Sequence, residues 1–241
     1  NTIGYSMNSF IDYSDPLDIF SHLLVGSEGT LAFISSVTLN TISDFEHKAT
    51  GLIIYNSSSS ACNFVTDFKD SGATAIEFLD DRSLKTAVNI HNPPYNSKNI
   101  EENFAGLLIE YQCENEGELG LRVQTAEKIL QKSNVLNISS GFSSDIYNRE
   151  NLWKIRKGLY PTVGALRKIG TTVITEDIAV DIENFADIVD DMKIIFKSFG
   201  FTDAVTFGHA KDGNLHFVCS VDLETARGVK NYESLLDKMC E

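Results

Sequence analysis

The order in which predicted strands and helices follow one another constrains the fold of this chain most. Between residues 52 and 138, short apolar and β-branched runs alternate with longer amphipathic runs in the order β-α-β-β-α-β, apart from a short helical insertion. The predicted strands are residues 52–55, 74–79, 104–111 and 135–138, and the predicted helices are residues 58–69, 81–89 (the insertion) and 118–131. This order is typical of the split β-α-β arrangement, in which two helices cover one face of a four-stranded antiparallel sheet.

A second copy of this order follows. Its predicted strands are residues 171–180, 204–209 and 214–221, and its predicted helices are residues 182–199 and the stretch from residue 223 onwards. A fourth strand is missing, and an open sheet edge needs closing or covering. We therefore predict an α+β fold: an antiparallel sheet with flanking helices, built as a duplicated ferredoxin-like (split β-α-β) domain with a truncated second copy. We expect Glu241 and the opening at Asn1, which lacks Met, to be cut ends of a longer protein.

Composition excludes several classes of protein. Lys and Arg number 20 against 34 Asp and Glu, and the formal charge of −14 repels nucleic-acid phosphates and anionic lipid surfaces. No apolar run approaches the roughly 18 residues of a membrane-spanning helix. The four cysteines are dispersed without a C-x-x-C pair, which favours reduced, buried thiols. We expect a cytoplasmic protein that has neither a nucleic-acid partner nor a transmembrane segment.

Two histidines flank a predicted hairpin turn. Asp212-Gly213 is a preferred central pair for a two-residue type I′ turn. That register places His209 opposite His216, with their Cβ atoms about 4.5 to 5.5 Å apart on one face of the sheet. The pair is suited to binding a metal ion or a substrate carboxylate, and the alternative is a stacked pair in a polar patch. A catalytic metal site usually has three protein ligands; Glu176 and Asp177, predicted to point to opposite faces of a strand, are the candidates for a third.

A predicted helix over residues 144–156 carries Trp153 and Arg156, which are neighbours on its surface because they are three residues apart. Arg156 can present its fork to a substrate carboxylate. Spacing alone equally favours a cation that caps the end of the helix.

A turn of small residues, VGSEGTL at 25–31, separates a predicted helix over residues 15–24 from a predicted strand over residues 30–39. A backbone of this kind allows close approach of a cofactor. Considered alone, it is more typical of an ordinary tight turn, and neither a dinucleotide-binding nor a Walker motif occurs in the chain.

Four segments together resemble one family. NTIGY at 1–5, VGSEGTL at 25–31, LWKIR at 152–156 and GHAKDGNLH at 208–216 are similar, in this order, to the FAD-linked 2-hydroxyacid dehydrogenases and oxidases of the vanillyl-alcohol-oxidase superfamily. This family includes D-lactate, glycolate and D-2-hydroxyglutarate enzymes. The resemblance implies that residues 1–42 are the C-terminal remnant of an FAD-binding domain. Residues 43–241 would be the substrate-binding cap domain.

The resemblance also implies roles for single residues. Gly26, Ser27, Glu28 and Gly29 would line FAD, and Arg156 would bind the substrate carboxylate. His209 and His216 would bind a divalent metal such as zinc, which polarises the substrate hydroxyl. In several relatives the third ligand is a Glu of a downstream E-H-G segment. No such segment precedes Glu241, so we expect the metal site to be incomplete in this chain.

Departures from the family pattern leave the substrate open. Val218 stands where 2-hydroxyglutarate-type relatives have Asn, and Tyr160 stands where they have Thr. The Ala210-Lys211 pair and residues 170–177 look most like large bacterial flavoproteins with a C-terminal iron–sulfur region. Such a parent would pass electrons from flavin to clusters outside this chain, and then to a soluble or membrane acceptor. In the second case the parent would be bound peripherally at the membrane.

The function expected for the parent protein is the oxidation of a D-2-hydroxy acid to a 2-oxo acid, with His209, His216 and Arg156 on the substrate side. By itself the chain is expected to be inactive. The oligomeric state stays open, with a homodimer as one option. The alternative is a non-catalytic ferredoxin-like module that binds a small ligand or forms a subunit interface.

Overall fold

The fold was obtained as a computed structural model, which describes residues 4–90, 93–133, 135–136 and 140–241. The chain forms two compact units, residues 1–43 and residues 44–241. Residues 1–3, the first three of the NTIGY segment, lie outside the described residues. The larger unit contains the repeated strand and helix order that the sequence predicts.

A single antiparallel sheet runs through the larger unit. Its strands within the described residues are β1 (His47–Tyr55), β2 (Ala75–Asp80), β3 (Ala105–Cys113), β4 (Gly141–Ser143), β5 (Thr172–Ala179), β6 (Val205–His209) and β7 (Asn214–Val221). They lie side by side in the order β4-β1-β3-β2-β6-β7-β5, and every pair is antiparallel.

The strand order confirms the predicted duplication. The first four strands are arranged 4-1-3-2, which is the order of a split β-α-β sheet, and the last three repeat the 1-3-2 part of that order in reverse. The two copies meet where β2 pairs with β6, through Glu77–His209, Phe78–Gly208 and Leu79–Phe207. The fold is therefore α+β, and the described part of the second copy contributes three strands.

Helices cover both faces of this sheet. They are α3 (Ser58–Cys62), α4 (Val65–Asp70), α5 (Asp81–Thr86), α6 (Glu116–Lys132), α7 (Ile146–Leu166), α8 (Phe185–Phe199) and α9 (Ala226–Cys240), numbered after two helices of the smaller unit. Apolar residues of α3, α4, α6, α8 and α9 pack on one face in the larger core. Those of α5 and α7 pack on the opposite face, which we call the α7 face.

Three elements of the larger unit differ from the sequence prediction. The helix predicted over residues 58–69 is two short helices, interrupted at residues 63–64. The predicted strand over residues 135–138 lies partly outside the described residues. Leu136 N–H donates to Ile54 O at 2.9 Å and Ser140 N–H to Leu52 O at 2.9 Å, and the fourth strand itself is Gly141–Ser143.

The third difference is the length of α7, which extends ten residues beyond the predicted end at Arg156 and includes Pro161. Proline inside a helix removes one backbone hydrogen bond and is normally a stop signal. Here Leu159 and Val163, on either side of it, are buried against the sheet, and this packing outweighs the local preference.

The smaller unit contains α1 (Ser9–Asp12) and α2 (Pro16–Leu23). As predicted, α2 begins at the Asp15-Pro16 signal, where Asp15 Oδ1 accepts from Leu17 N–H at 2.8 Å. The strand predicted over residues 30–39 is wrong, because residues 32–45 have no regular secondary structure. Strand propensity produces a strand only beside a pairing partner, and the described residues of this unit provide none.

Candidate active site

The two predicted histidines lie together on the α7 face at the end of the β6–β7 hairpin. Their ring centroids are 5.1 Å apart and the rings are nearly perpendicular, at 89°. The prediction that His209 and His216 lie side by side on one face of the sheet is therefore confirmed.

The predicted register of the hairpin is wrong by two residues. His216 pairs with Phe207 and not with His209. The cause is the turn, which is a helical turn at Ala210–Asp212 followed by Gly213 at φ +69°, and not a two-residue loop. A shift of two residues preserves the alternation of side chains, so both imidazoles still point to the same face.

Each imidazole is held through Nδ1 by a carboxylate on a neighbouring strand. His209 Nδ1 lies 2.7 Å from Glu77 Oε1, and His216 Nδ1 contacts Asp177 Oδ1. An ionised carboxylate only accepts hydrogen bonds, so the proton of each neutral imidazole is assigned to Nδ1. Both Nε2 atoms then carry a lone pair that is available to a proton or a metal ion.

Arg156 belongs to the same cluster. Its Nε donates to Glu77 Oε2 at 2.7 Å, and its guanidinium carbon lies 4.4 Å from the centre of the Phe207 ring. The alternative of a cation at a helix C-terminus is wrong, because α7 continues to Leu166. Arg156 and His209 are thus joined by the single carboxylate of Glu77.

A second buried carboxylate supports α7 beside this cluster. Glu110 accepts hydrogen bonds from Thr50 Oγ1 at 2.8 Å, Trp153 Nε1 at 2.6 Å and Gln112 Nε2 at 2.7 Å. Trp153 and Arg156 therefore each contact a carboxylate of the sheet, Glu110 and Glu77 respectively. These two contacts fix the rotation of the helix above the strands.

Sequence reasoning missed both Glu77 and Glu110. Their signal was an acidic residue enclosed by apolar residues in a strand, AIEFLD and GLLIEYQC. Both strands are buried on both faces, and an acid at such a position is rarely fully buried unless it is paired. A charged residue that interrupts a strand buried on both faces therefore indicates a paired, buried carboxylate.

Glu176 and Asp177 point to opposite faces, as predicted. Asp177 contacts His216, whereas Glu176 accepts from Tyr232 Oη at 2.7 Å on the other face. Burial, followed by this contact with Glu176, raises the pKa of the Tyr232 hydroxyl.

Within the described ranges, no three His, Cys, Asp or Glu side chains converge to hold a metal ion.

The predicted cofactor turn lies in the smaller unit. Gly26, Glu28 and Gly29 have positive φ values of 81°, 50° and 76°. Ser27 is buried, and its carbonyl accepts from Thr30 N–H at 2.9 Å and from Thr30 Oγ1 at 2.6 Å. A Cβ added at Gly29 would meet no atom of the described chain within 4 Å, so this side of the turn is open.

The larger unit matches a known protein family along nearly its whole length. The model of "FAD linked oxidases, C-terminal domain" matches residues 45–241. The chain belongs to the FAD-linked oxidase family. The assignment of residues 1–42 to a flavin domain and of residues 43–241 to a cap domain stays a prediction.

Curated relatives of this FAD-linked oxidase chain are 2-hydroxyacid enzymes by name. The mitochondrial D-lactate dehydrogenase (cytochrome) of Kluyveromyces lactis is 26% identical over 222 residues, which cover 90% of this chain and 37% of that protein. The glycolate oxidase subunit GlcD of Bacillus subtilis is 26% identical, covering 92% of this chain and 45% of that protein. The D-2-hydroxyglutarate dehydrogenase of Haemophilus influenzae is 23% identical, covering 99% and 24%. The chain thus spans about a quarter to a half of these relatives.

Solved structures share the fold. An alkyldihydroxyacetonephosphate synthase superimposes with a TM-score of 0.61 at 15% identity, covering 95% of this chain and 45% of that chain. The 4-ethylphenol oxidase of Gulosibacter chungangensis gives a TM-score of 0.51 at 10% identity, covering 81% and 43%. At such identities the likeness concerns the fold alone.

The two positions that depart from the family pattern lie near the cluster. Tyr160 is half-exposed on α7, one turn beyond Arg156, and Val218 is fully buried in the core of the α7 face. In the part of the chain that the structure describes, no helix is long and apolar enough to cross a membrane.

Proposed function

We propose that the whole protein oxidises a small D-2-hydroxy acid to the 2-oxo acid with FAD as oxidant, and that this chain supplies the substrate side of the active site. The observation that carries the proposal is the cluster on the α7 face. A partly buried arginine and two carboxylate-backed imidazoles lie there within one group of contacts. A carboxylate anchor beside a proton acceptor is what a 2-hydroxy acid requires.

Arg156 is the proposed anchor. Its Nε is engaged by Glu77, and a substrate carboxylate would bind the two terminal nitrogens, for which the described residues offer no acceptor. A guanidinium is always charged and binds carboxylates through parallel hydrogen bonds. The Phe207 ring, whose centre lies 4.4 Å from the guanidinium carbon, supports this side chain from one side.

The imidazole pair is the proposed proton acceptor. Oxidation removes a hydride from C2 and a proton from the hydroxyl, and bound FAD supplies the two-electron acceptor for the hydride. The hydroxyl proton would go to the Nε2 lone pair of His209 or His216. The Nδ1 contacts with Glu77 and Asp177 stabilise the cation that forms.

A divalent metal such as zinc fits the pair as two of its ligands. Imidazoles that bind metals usually donate their other N–H to a carboxylate, as Glu77 and Asp177 allow here. A third protein ligand would have to come from outside the described residues. Such a metal would supply Lewis-acid polarisation of the substrate hydroxyl.

The turn over residues 26–29 is proposed to line FAD. Its support is the open side of Gly29, where no side chain stands between the backbone and a cofactor. A cytoplasmic location, peripheral membrane contact, an electron acceptor reached through iron–sulfur clusters and a homodimer stay proposals about the whole protein.

The test is flavin reduction in the full-length holoprotein under anaerobic conditions. D-lactate, glycolate and D-2-hydroxyglutarate are added in turn, and the flavin absorbance should bleach with at least one of them. Arg156→Lys should lower kcat/KM about 10- to 150-fold, because a hydrogen bond to a charged group contributes about 1.5–3 kcal/mol. The control Glu118→Gln, on α6, should not change it.

No bleaching with any 2-hydroxy acid, together with retained FAD, would refute the proposal. A protein that binds these acids without reducing flavin would be the sensor of the alternative hypothesis. Peroxide formation in air would identify direct use of oxygen and would distinguish an oxidase from a dehydrogenase.

A further inference from the structure

Glu77 occupies a central position between the anchor and the proton acceptor. Its side chain is only 7% exposed, and each of its oxygens has one partner: Oε2 accepts from Arg156 Nε and Oε1 from His209 Nδ1, both at 2.7 Å. Glu77 lies directly opposite His209 in the β2–β6 ladder. Its location is therefore fixed by the sheet and not by a flexible loop.

The carboxylate behind the other imidazole is more exposed, although the His216 ring itself is the less exposed of the two. Asp177 lies directly opposite His216 in the β5–β7 ladder, but β5 is an edge strand and the Asp177 side chain is 67% exposed. The structure gives Asp177 one side-chain partner within the described residues. Water competes for an exposed carboxylate, so the contact of Asp177 with His216 constrains its imidazole less than Glu77 constrains His209.

We propose that Glu77 is a positioning residue that simultaneously fixes the Nδ1–H tautomer of His209 and the orientation of Arg156. Its catalytic consequence rests on the proposed function, since it makes the carboxylate anchor and the proton acceptor one unit. Either use of His209, as a base or as a metal ligand, needs a free lone pair on Nε2. Glu77 provides that lone pair by holding the proton on Nδ1.

The hydrogen-bond inventory makes the proposal specific. An ionised carboxylate accepts from both neighbours, whereas the amide of Glu77→Gln has one accepting oxygen and one donating nitrogen. Arg156 is always a donor, but a neutral imidazole can move its proton to the other nitrogen. In E77Q the amide oxygen therefore stays with Arg156, and His209 changes to the Nε2–H tautomer, which removes the free lone pair.

The experiment is nitrogen NMR on the metal-free 241-residue chain with 15N-labelled histidine. It is recorded at about pH 8.5, where ordinary imidazoles are neutral. The pattern of couplings from the two ring carbon-bound protons identifies which nitrogen carries the proton. Wild-type His209 should be the Nδ1–H tautomer, and in E77Q it should be the Nε2–H tautomer.

Glu110→Gln is the matched control. It also replaces a buried carboxylate on the α7 face that has several donors, but Glu110 contacts neither Arg156 nor His209. E110Q should leave the tautomer of His209 unchanged. Asp177→Asn should change the signals of His216 and leave those of His209 as they are.

Three results would overturn the proposal: an Nε2–H tautomer of His209 in the wild type, an unchanged Nδ1–H tautomer in folded E77Q, or the same change in E110Q as in E77Q. If E77Q does not fold, the tautomer of His209 in the wild type still tests the proposal. In the full-length holoprotein, E77Q should lower kcat about 10- to 100-fold, the usual range for a residue that orients a functional histidine. If no 2-hydroxy acid is turned over at all, the proposed function fails, while the tautomer result stands or falls separately.

Discussion

Removing Arg156 should destabilise the protein more than removing Arg156 and the charge of Glu77 together. The pair is largely buried, with 12% and 7% of the two side chains exposed and an N–O distance of 2.7 Å. Breaking a buried pair from one side costs about 3–5 kcal/mol, because the remaining charge is left without its partner. Since Glu77 still accepts from His209, we expect the lower end, about 3 kcal/mol, for Arg156→Met.

The double variant E77Q/R156M contains no buried charge at this place, and its amide oxygen still accepts from His209. Replacing both members of a buried pair by well-packed apolar groups is often neutral or stabilising, and the amide nitrogen that E77Q introduces is the one group left without a partner among the described residues here. We expect a loss of about 1 kcal/mol, so the double variant should be more stable than R156M by about 2 kcal/mol. Simple additivity of the two single variants predicts the opposite order.

Urea denaturation followed by the fluorescence of Trp153 measures these differences. Trp153 is the single tryptophan and lies on α7 beside the pair, so its emission reports the unfolding of the larger unit. With an m-value of about 2–3 kcal/mol/M, the R156M midpoint should fall by about 1–1.5 M. The control E118Q, which removes a partly exposed i,i+4 pair of α6, should cost about 0.3–0.5 kcal/mol. The reasoning is refuted if R156M costs under about 1 kcal/mol or if the double variant is the least stable of the set.

Two further predictions concern positions outside the cluster. Burial raises the pKa of Asp80 from 3.8 to about 6. The folded state therefore binds the carboxyl proton more tightly than the unfolded state does. The stability that this proton contributes is present below about pH 4 and is lost as the pH rises through 6. Between pH 4 and pH 7 the free energy of unfolding of the wild type, measured relative to Asp80→Asn, should therefore fall by about 2 kcal/mol, and urea titrations with an equal difference at both pH values would contradict this. A Cβ at Gly158 in α7 would collide with Ile90, so Gly158→Ala should lower stability by about 1–3 kcal/mol. Gly120→Ala in α6, where a Cβ would meet no described atom within 4 Å, should raise the free energy of unfolding by about 0.5–1 kcal/mol. Urea denaturation measures both glycine variants. If both variants stabilise the protein, or both destabilise it, the space beside the helix does not decide the outcome.

The candidate site could be predicted in part because alternation along a strand is robust. His209 and His216 share a face in either register of the hairpin, since the two registers differ by an even number of residues. The turn type was not robust. Asp-Gly occurs in two-residue loops and also at the end of longer loops, where the glycine takes the left-handed conformation seen at Gly213. The sequence pattern does not distinguish these loops.

The contacts that give the histidines their tautomers could not be predicted from spacing. Glu77 is 132 residues away from His209 along the chain and 79 residues from Arg156. Their meeting depends on the pairing of β2 with β6 between the two copies of the fold. A strand pattern says which face a residue occupies but does not say which strand lies beside it.

The amino-acid sequence by itself determined the alternation of strands and helices, the duplication, the shared face of His209 and His216 and the family. These properties follow from local periodicity and from short motifs, which act over a few neighbouring residues. Only the tertiary structure decided that α7 passes through Pro161 and that Glu77 joins Arg156 to His209. It also decided that residues 32–45 form no strand. Burial and strand pairing set these features, because their free energies depend on partners that are distant in the chain.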